Sequence, residues 1–174
     1  MASNVGASVA RNSAPTLRLI CLAIAVLSAA ALGGALAIEH FGGIAPCPLC
    51  LDQRLAYYAA VPLALLALLL LPERITVART ILALLALAFL FNAGLGIYHS
   101  GVEWGWWEGP DTCSSAGAIA TTPDALLESL QNPRVVRCDE AALRILGLSL
   151  AGYSALTSAL LAALAGLGAV AGRR

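Results

Sequence analysis

The chain has 174 residues, enough for one domain, but 60% of them are hydrophobic and only 11% are charged. This composition lies far from that of water-soluble domains and excludes an ordinary soluble fold. The formal net charge is zero, and no cluster of basic residues predicts binding to nucleic acid.

Charged residues separate four long uncharged stretches, each close to the ~20 residues with which a helix crosses a bilayer. We therefore predict an all-α fold, an integral membrane up-and-down four-helix bundle. Its spans are expected over residues 19–38, 55–71, 80–99 and 145–170. A cleaved secretory signal is the alternative interpretation of the first stretch, but that stretch exceeds the ~7 to 15 apolar residues of a signal core.

These spans also predict the sidedness of the chain. Residues 1–16 are expected to form a cytoplasmic tail and residues 17–172 a single transmembrane domain, with outer loops over residues 39–54 and 100–144. Six of the ten basic residues fall on the side of the tail: Arg11, Arg18, Arg74, Arg79, Arg173 and Arg174. By the positive-inside rule, both termini are expected to be cytoplasmic.

The third span and the second outer loop carry three structural signals. Asn92 and the Gly94-Leu95-Gly96 sequence are typical of close helix packing and of a hydrogen bond between helices. Thr122 and Pro123 fit the start of a short helix, which would be amphipathic and lie on the membrane surface. Three residues just beyond the third span are predicted to anchor it at the headgroups, with contact to a substrate as the alternative: Trp104, Trp106 and Trp107.

The most informative sequence is Pro46-Cys47-Pro48-Leu49-Cys50, because two cysteines at this spacing can close a small, readily exchanged disulfide. We expect Cys50 at the N-terminus of the second helix, where the helix dipole favours a thiolate. Arg54 would then lie one turn further along the same face and support a thiolate or an anionic reduced acceptor. The alternative for Arg54 is an arginine that snorkels to the headgroups.

Two further cysteines, Cys113 and Cys138, share the second outer loop and can pair in an oxidising compartment. Alone, such a pair indicates a purely structural disulfide. Two pairs on one side of a small membrane protein favour a relay of electrons. Zinc binding is a further alternative, since Cys47 and Cys50 have the spacing of half a site. The second pair lacks that spacing, so no metal is expected.

A family resemblance rests on several stretches together. They are Pro46-Cys47-Pro48-Leu49-Cys50 with Gln53-Arg54, Tyr98-His99-Ser100-Gly101-Val102-Glu103-Trp104, Gly109-Pro110 before Cys113, and Cys138-Asp139-Glu140. Over roughly residues 17–160, the chain resembles the disulfide bond formation protein B (DsbB) family. The resemblance implies a thiol oxidase of the bacterial inner membrane with its active cysteines in the periplasm.

The resemblance also implies the order of electron transfer. Cys113 and Cys138 would form the disulfide that oxidises a periplasmic DsbA-like thioredoxin-fold partner, with Cys113 as the site of the mixed disulfide. The electrons would then pass to Cys47 and Cys50. Cys21, in the first span, would be an inert core residue.

A membrane quinone, ubiquinone or menaquinone, is the acceptor that the resemblance implies. Cys50 would face the quinone ring, Arg54 would support its reduced form, and His99 would lie nearby. One alternative is a membrane scaffold or carrier with purely structural disulfides. Another is a redox enzyme with a different direction or client, such as a quinone reductase of the vitamin K type.

Overall fold

The structure is a computed structural model, and it describes residues 2–110, 113 and 137–171. The described residues form four long helices and one short hairpin: α1 (Ala2–Gly42), α2 (Pro48–Leu70), α3 (Ile75–Glu103), β1 (Arg144–Ile145), β2 (Leu148–Ser149) and α4 (Leu150–Val170). Each of the four helices is long and apolar enough to cross a membrane. The predicted four-helix membrane bundle is therefore confirmed.

The helices pack as a ring in which α1 contacts α2 and α4, α2 contacts α3, and α3 contacts α4 most extensively. Small side chains make these close contacts possible, because without a bulky group two helix backbones approach each other directly. In α2, the buried positions Ala60, Ala64 and Ala67 recur at helical spacing along one face. Larger side chains from the other three helices complete this core, among them Ile24, Phe89 and Leu161.

A buried chain of hydrogen bonds joins α2, α3 and α4. The amide nitrogen of Asn92 donates to the hydroxyl oxygen of Ser158 at 2.9 Å, and that hydroxyl is 2.9 Å from the phenol oxygen of Tyr57. Tyr57 donates in turn to the backbone carbonyl of Ser154 at 3.2 Å. These contacts confirm the hydrogen bond between helices that was predicted for Asn92.

Gly96 marks the closest approach of α3 to α4. A Cβ atom at this position would lie 2.9 Å from backbone atoms of Ala155. We expect Gly96→Ala to lower the free energy of unfolding by about 1–3 kcal/mol, because the two helices must separate to admit the methyl group. Gly94→Ala is the matched control, since a Cβ there meets nothing within 4 Å. Unfolding by a denaturing detergent measures both variants, and equal stabilities would contradict the close approach.

The start of the last helix differs from the prediction. Residues 145–149 were expected to be helical, but they belong to the antiparallel hairpin of β1 and β2. At its tip Leu146 and Gly147 have φ angles of 52° and 83°, as a two-residue turn with two left-handed positions requires. Ser149 then caps α4, its hydroxyl oxygen accepting a hydrogen bond from the backbone N–H of Gly152.

The first helix is longer than the predicted span, because α1 begins at Ala2 whereas its part that could cross a membrane is Pro15–Gly42. A helix satisfies its backbone hydrogen bonds internally, so it can continue beyond the apolar segment that spans the membrane. The cytoplasmic position of this end is still a prediction. The short amphipathic helix predicted from Thr122 onward lies outside the described residues.

Candidate functional site

The loop between α1 and α2 is short and ends in a helix cap made by a cysteine. Cys47 has extended backbone angles, and its sulfur accepts a hydrogen bond from the backbone N–H of Cys50 at 3.3 Å. Pro48 occupies the first helical position, where its missing N–H leaves no bond unmade. The Cys-Pro-Leu-Cys sequence thus starts α2 itself, and Cys50 lies in the first helical turn as predicted.

The two sulfurs of this first pair are 2.7 Å apart, and both cysteines are free. A disulfide bond is about 2.05 Å long, so a small shift of either side chain closes it. The thiol of Cys47 donates a hydrogen bond to the sulfur of Cys50, and this bond, followed by burial, raises the pKa of Cys47. Cys47 therefore holds its proton while Cys50 acts as the acceptor at the positive end of the helix.

The second pair, Cys113 and Cys138, forms a disulfide. Both residues are buried, and they pack with Cys47, Leu49 and Val102 in a small cluster at the end of the bundle where α2 begins and α3 ends. The pairing implied by the family resemblance is therefore present. The disulfide of the second loop lies directly against a cysteine of the first loop.

His99 lies between the two pairs. Its ring is 2% exposed, and its Nε2 atom is 3.6 Å from the sulfur of Cys47. The amide nitrogen of Gln53 donates to Nδ1 of the ring at 2.8 Å. Nε2 of His99 and the sulfurs of Cys47 and Cys138 lie within 4.8 Å of one another. Residues from α2, α3 and the second loop therefore meet at one point.

The same three atoms are close enough together to hold a metal ion such as zinc, the alternative that the cysteine spacing raised. Metal ions bind the thiolate form of cysteine. The sulfur of Cys138 is bonded to Cys113 and is not a thiolate. With the second pair oxidised, this cluster offers only Cys47 and His99 as ligands.

Arg54 forms an ion pair with Glu39 at the end of α1, with 2.5 Å between its Nη1 atom and a carboxylate oxygen. The arginine side chain is 14% exposed and the glutamate side chain is 30% exposed. The contact fastens α1 to α2 beside the first cysteine pair. It also reduces the net positive charge that Arg54 presents to its surroundings, which the sequence did not indicate.

A cavity of about 300 Å³ opens beside these residues, between α1, α2 and α4. Its walls are mostly apolar and include Ala31, Ile38 and Leu150. One end is polar and contains the chemically active side chains: Cys47, Cys50, Gln53, Arg54, His99 and Glu103. Apolar walls with a few convergent polar groups are typical of a site for a small, mostly apolar molecule. A quinone ring fits this description, with Cys50 and Arg54 at the polar end.

Two residues of the site had no predicted role. Gln53 orients the His99 ring, and Glu103 lies one helical turn after His99, with its side chain 5% exposed. Gln53 is adjacent to Arg54 in the motif, so the sequence already indicated that Gln53 lies near the first cysteine pair. Glu103 was detectable as well, since residues four apart share a helix face. Neither spacing shows that the side chain points into a cavity.

Comparison of the sequence with known proteins identifies a family. The sequence model of the family described as "Disulfide bond formation protein DsbB" matches residues 17–168. An uncharacterized protein of Rickettsia prowazekii, RP370, is 27% identical over 152 residues, or 86% of each chain. Two proteins named "Disulfide bond formation protein B" match over shorter segments.

The relative from Herminiimonas arsenicoxydans is 38% identical over 51% of this chain and 52% of its own length. The relative from Acinetobacter baylyi is 40% identical over 37% of this chain and 38% of its own length. No solved structure matches the chain. The family match extends from α1 to α4 and includes both cysteine pairs. This multi-pass membrane protein therefore belongs to the DsbB family.

Proposed function

We propose that the chain is a protein-dithiol:quinone oxidoreductase that sustains disulfide bond formation. It reoxidises a periplasmic DsbA-like thioredoxin-fold protein and passes the electrons through its two cysteine pairs to ubiquinone or menaquinone. Family membership supports an oxidoreductase of disulfide formation in a membrane. The observation that carries the finer proposal is the proximity of Cys47, His99 and Cys138, within 4.8 Å, at the edge of the cavity.

The proximity supports a route made of thiol–disulfide exchanges. A thiolate of the partner attacks Cys113 and releases Cys138, and the partner's second thiol then closes the partner's own disulfide and frees Cys113. Cys138 attacks Cys47 of the oxidised first pair, and Cys50 leaves as a thiolate at the N-terminus of α2, where the helix dipole stabilises it. Attack of Cys113 on Cys138 restores the second disulfide and leaves the first pair reduced. Two electrons have moved from the partner to Cys47 and Cys50.

The reduced first pair then needs an acceptor. A quinone, when bound, would take the two electrons of this pair together with the proton of Cys47 and a second proton from the medium. A DsbA-like oxidant has a reduction potential of about −120 mV, whereas a glutathione pool at roughly −180 to −210 mV would reduce such an oxidant. The electron acceptor must therefore be a stronger oxidant than the DsbA-like protein, and it must reach a site inside the membrane. The apolar walls of the cavity and its polar end at Cys50 and Arg54 support a quinone.

The proposed location is the bacterial inner membrane, with both termini in the cytoplasm and both cysteine pairs in the periplasm. The distribution of arginines supports this orientation. Exchange between disulfides and a protein partner also needs an oxidising compartment, and the periplasm is one. Labelling of single cysteines introduced near each terminus, with a reagent that does not cross the membrane, tests the orientation.

The overall test uses the purified chain in detergent, a reduced thioredoxin-like dithiol protein and ubiquinone. We expect the absorbance of the oxidised quinone to fall only when all three components are present. Menaquinone in place of ubiquinone shows which acceptor is preferred. If neither quinone is reduced and both disulfides resist reduction, the scaffold with structural disulfides is the better description.

Arg54→Ala is expected to weaken the use of quinone about ten- to a hundredfold, measured as the rise in the quinone concentration at half-maximal turnover. The physical reason is the loss of a charged hydrogen-bond donor, worth about 1.5–3 kcal/mol, at the polar end of the cavity. Both disulfides should still form, because neither contains Arg54. Arg74→Ala, an exposed arginine at the opposite end of the bundle, is the control. An unchanged quinone dependence in Arg54→Ala would remove Arg54 from the quinone site.

A further inference from the structure

Glu103 is a buried carboxylate whose second oxygen has no hydrogen bond within the described part of the chain. Its side chain is 5% exposed, and Oε1 lies 3.9 Å from Nε2 of His99. Oε2 is buried and has no hydrogen-bond partner among the described residues. Arg54, which lines the same cavity, forms its ion pair with Glu39. A buried carboxylate oxygen without a partner is costly, so Oε2 of Glu103 is an atom from which a partner or a proton is to be expected.

The proposed function creates a need that Glu103 can meet. Closing the disulfide from the thiol of Cys47 and the thiolate of Cys50 breaks one S–H bond, forms one S–S bond and releases one proton with two electrons. Cys47 is 3% exposed, so its proton has no direct path to bulk water. A group that carries this proton must therefore lie near the first cysteine pair and reach the cavity. Glu103 lines the cavity together with Cys47 and Cys50.

The two oxygens of Glu103 have different surroundings. Because Gln53 donates to Nδ1 of His99, a neutral ring carries its hydrogen on Nε2, the side that faces Oε1 of Glu103. The 3.9 Å between Nε2 and Oε1 is longer than a hydrogen bond, so His99 lies beside the carboxylate without holding it. Oε2 has no hydrogen-bond partner among the described residues, and it is the atom that can accept a proton.

We infer that Glu103 is the proton carrier of the site, with Oε2 accepting the proton that leaves Cys47 and releasing it into the cavity. The inference rests on the proposed function, in which this proton and both electrons go to a quinone. After the transfer Glu103 returns to its carboxylate form, so it is not consumed. Gln53 positions the ring of His99, which lies beside Glu103.

Glu103→Gln tests the inference because it keeps the shape and removes the proton-carrying group. We expect turnover with the reduced dithiol protein and ubiquinone to fall about a hundredfold or more. In quinone-free protein, the same variant should still pass electrons from the dithiol protein to Cys47 and Cys50 at the rate of the unmodified chain, as measured by thiol alkylation. Glu103→Asp should recover most of the turnover. Glu108→Gln, at an exposed carboxylate outside the cavity, is the matched control.

Three outcomes would overturn the inference. Turnover of Glu103→Gln within a few-fold of the unmodified chain would show that no proton passes through this residue. Slowed exchange in quinone-free Glu103→Gln would show that Glu103 positions the cysteines instead. Failure of the unmodified chain to reduce any quinone, with normal exchange between the dithiol protein and the cysteines, would refute the proposed acceptor itself.

Discussion

Cys50→Ser is expected to reduce quinone turnover to the uncatalysed background. The first pair can no longer form a disulfide, since one of its two sulfurs, 2.7 Å apart in the structure, is gone. No two-electron carrier then connects the second loop with the cavity. The measurement follows quinone absorbance after mixing the variant with a reduced thioredoxin-like dithiol protein.

The second cysteine pair provides an internal check on this variant. The Cys113–Cys138 disulfide does not involve Cys50, so it should form normally and accept electrons from the dithiol protein once. Cys21→Ser is the control, because Cys21 is a buried free cysteine in α1 that does not line the cavity. Quinone reduction by Cys50→Ser at an appreciable rate would mean that electrons bypass the first pair.

Cys113→Ser is expected to abolish electron transfer from the dithiol partner, because it removes the sulfur that the partner attacks. The freed thiol of Cys138 then lies within 4.8 Å of the sulfur of Cys47. We expect it to attack the oxidised first pair and to form a bridge between Cys47 and Cys138. Non-reducing peptide mapping detects this bridge, and trapping of mixed disulfides in acid measures the loss of partner engagement.

The same variant tests whether the partner attacks Cys113 or Cys138. Cys113 is 4% exposed and Cys138 is 1% exposed, so in either case the partner must displace covering residues before it reaches a sulfur. If Cys113→Ser still accumulates a mixed disulfide at the normal rate, the partner attacks Cys138 instead. The Cys21→Ser variant again shows whether loss of any cysteine affects the assay.

Much of the fold could be predicted because the bilayer constrains it strongly. Backbone groups in hydrocarbon must be paired within the chain, so an uncharged stretch of about 20 residues is nearly bound to be a helix. The ends of the helices were less accessible to prediction. Cys47 caps α2, which begins at Pro48, seven residues before the predicted span. A hairpin with Leu146 and Gly147 at its tip stands where the first residues of the last helix were predicted. Local capping and turn geometry decide such ends, and hydropathy does not detect them.

The site divides in a similar way. The short spacing of Cys47, Cys50 and Arg54 already places them along the start of one helix, within about two turns, so the sequence alone determined this part of the site. The pair of Cys113 and Cys138 followed from the family resemblance, and the structure contains it.

The contacts of His99, Glu39 and Glu103 were decided only by the tertiary structure. His99 lies 52 positions from Cys47, yet the two side chains are 3.6 Å apart. Arg54 pairs with Glu39 of a different helix, and Glu103 faces the cavity. Each of these contacts depends on how one helix is rotated against another, which packing of all four helices determines and periodicity within one helix does not. The sequence by itself therefore determined the membrane helices and the first cysteine pair, whereas packing decided which side chains surround them.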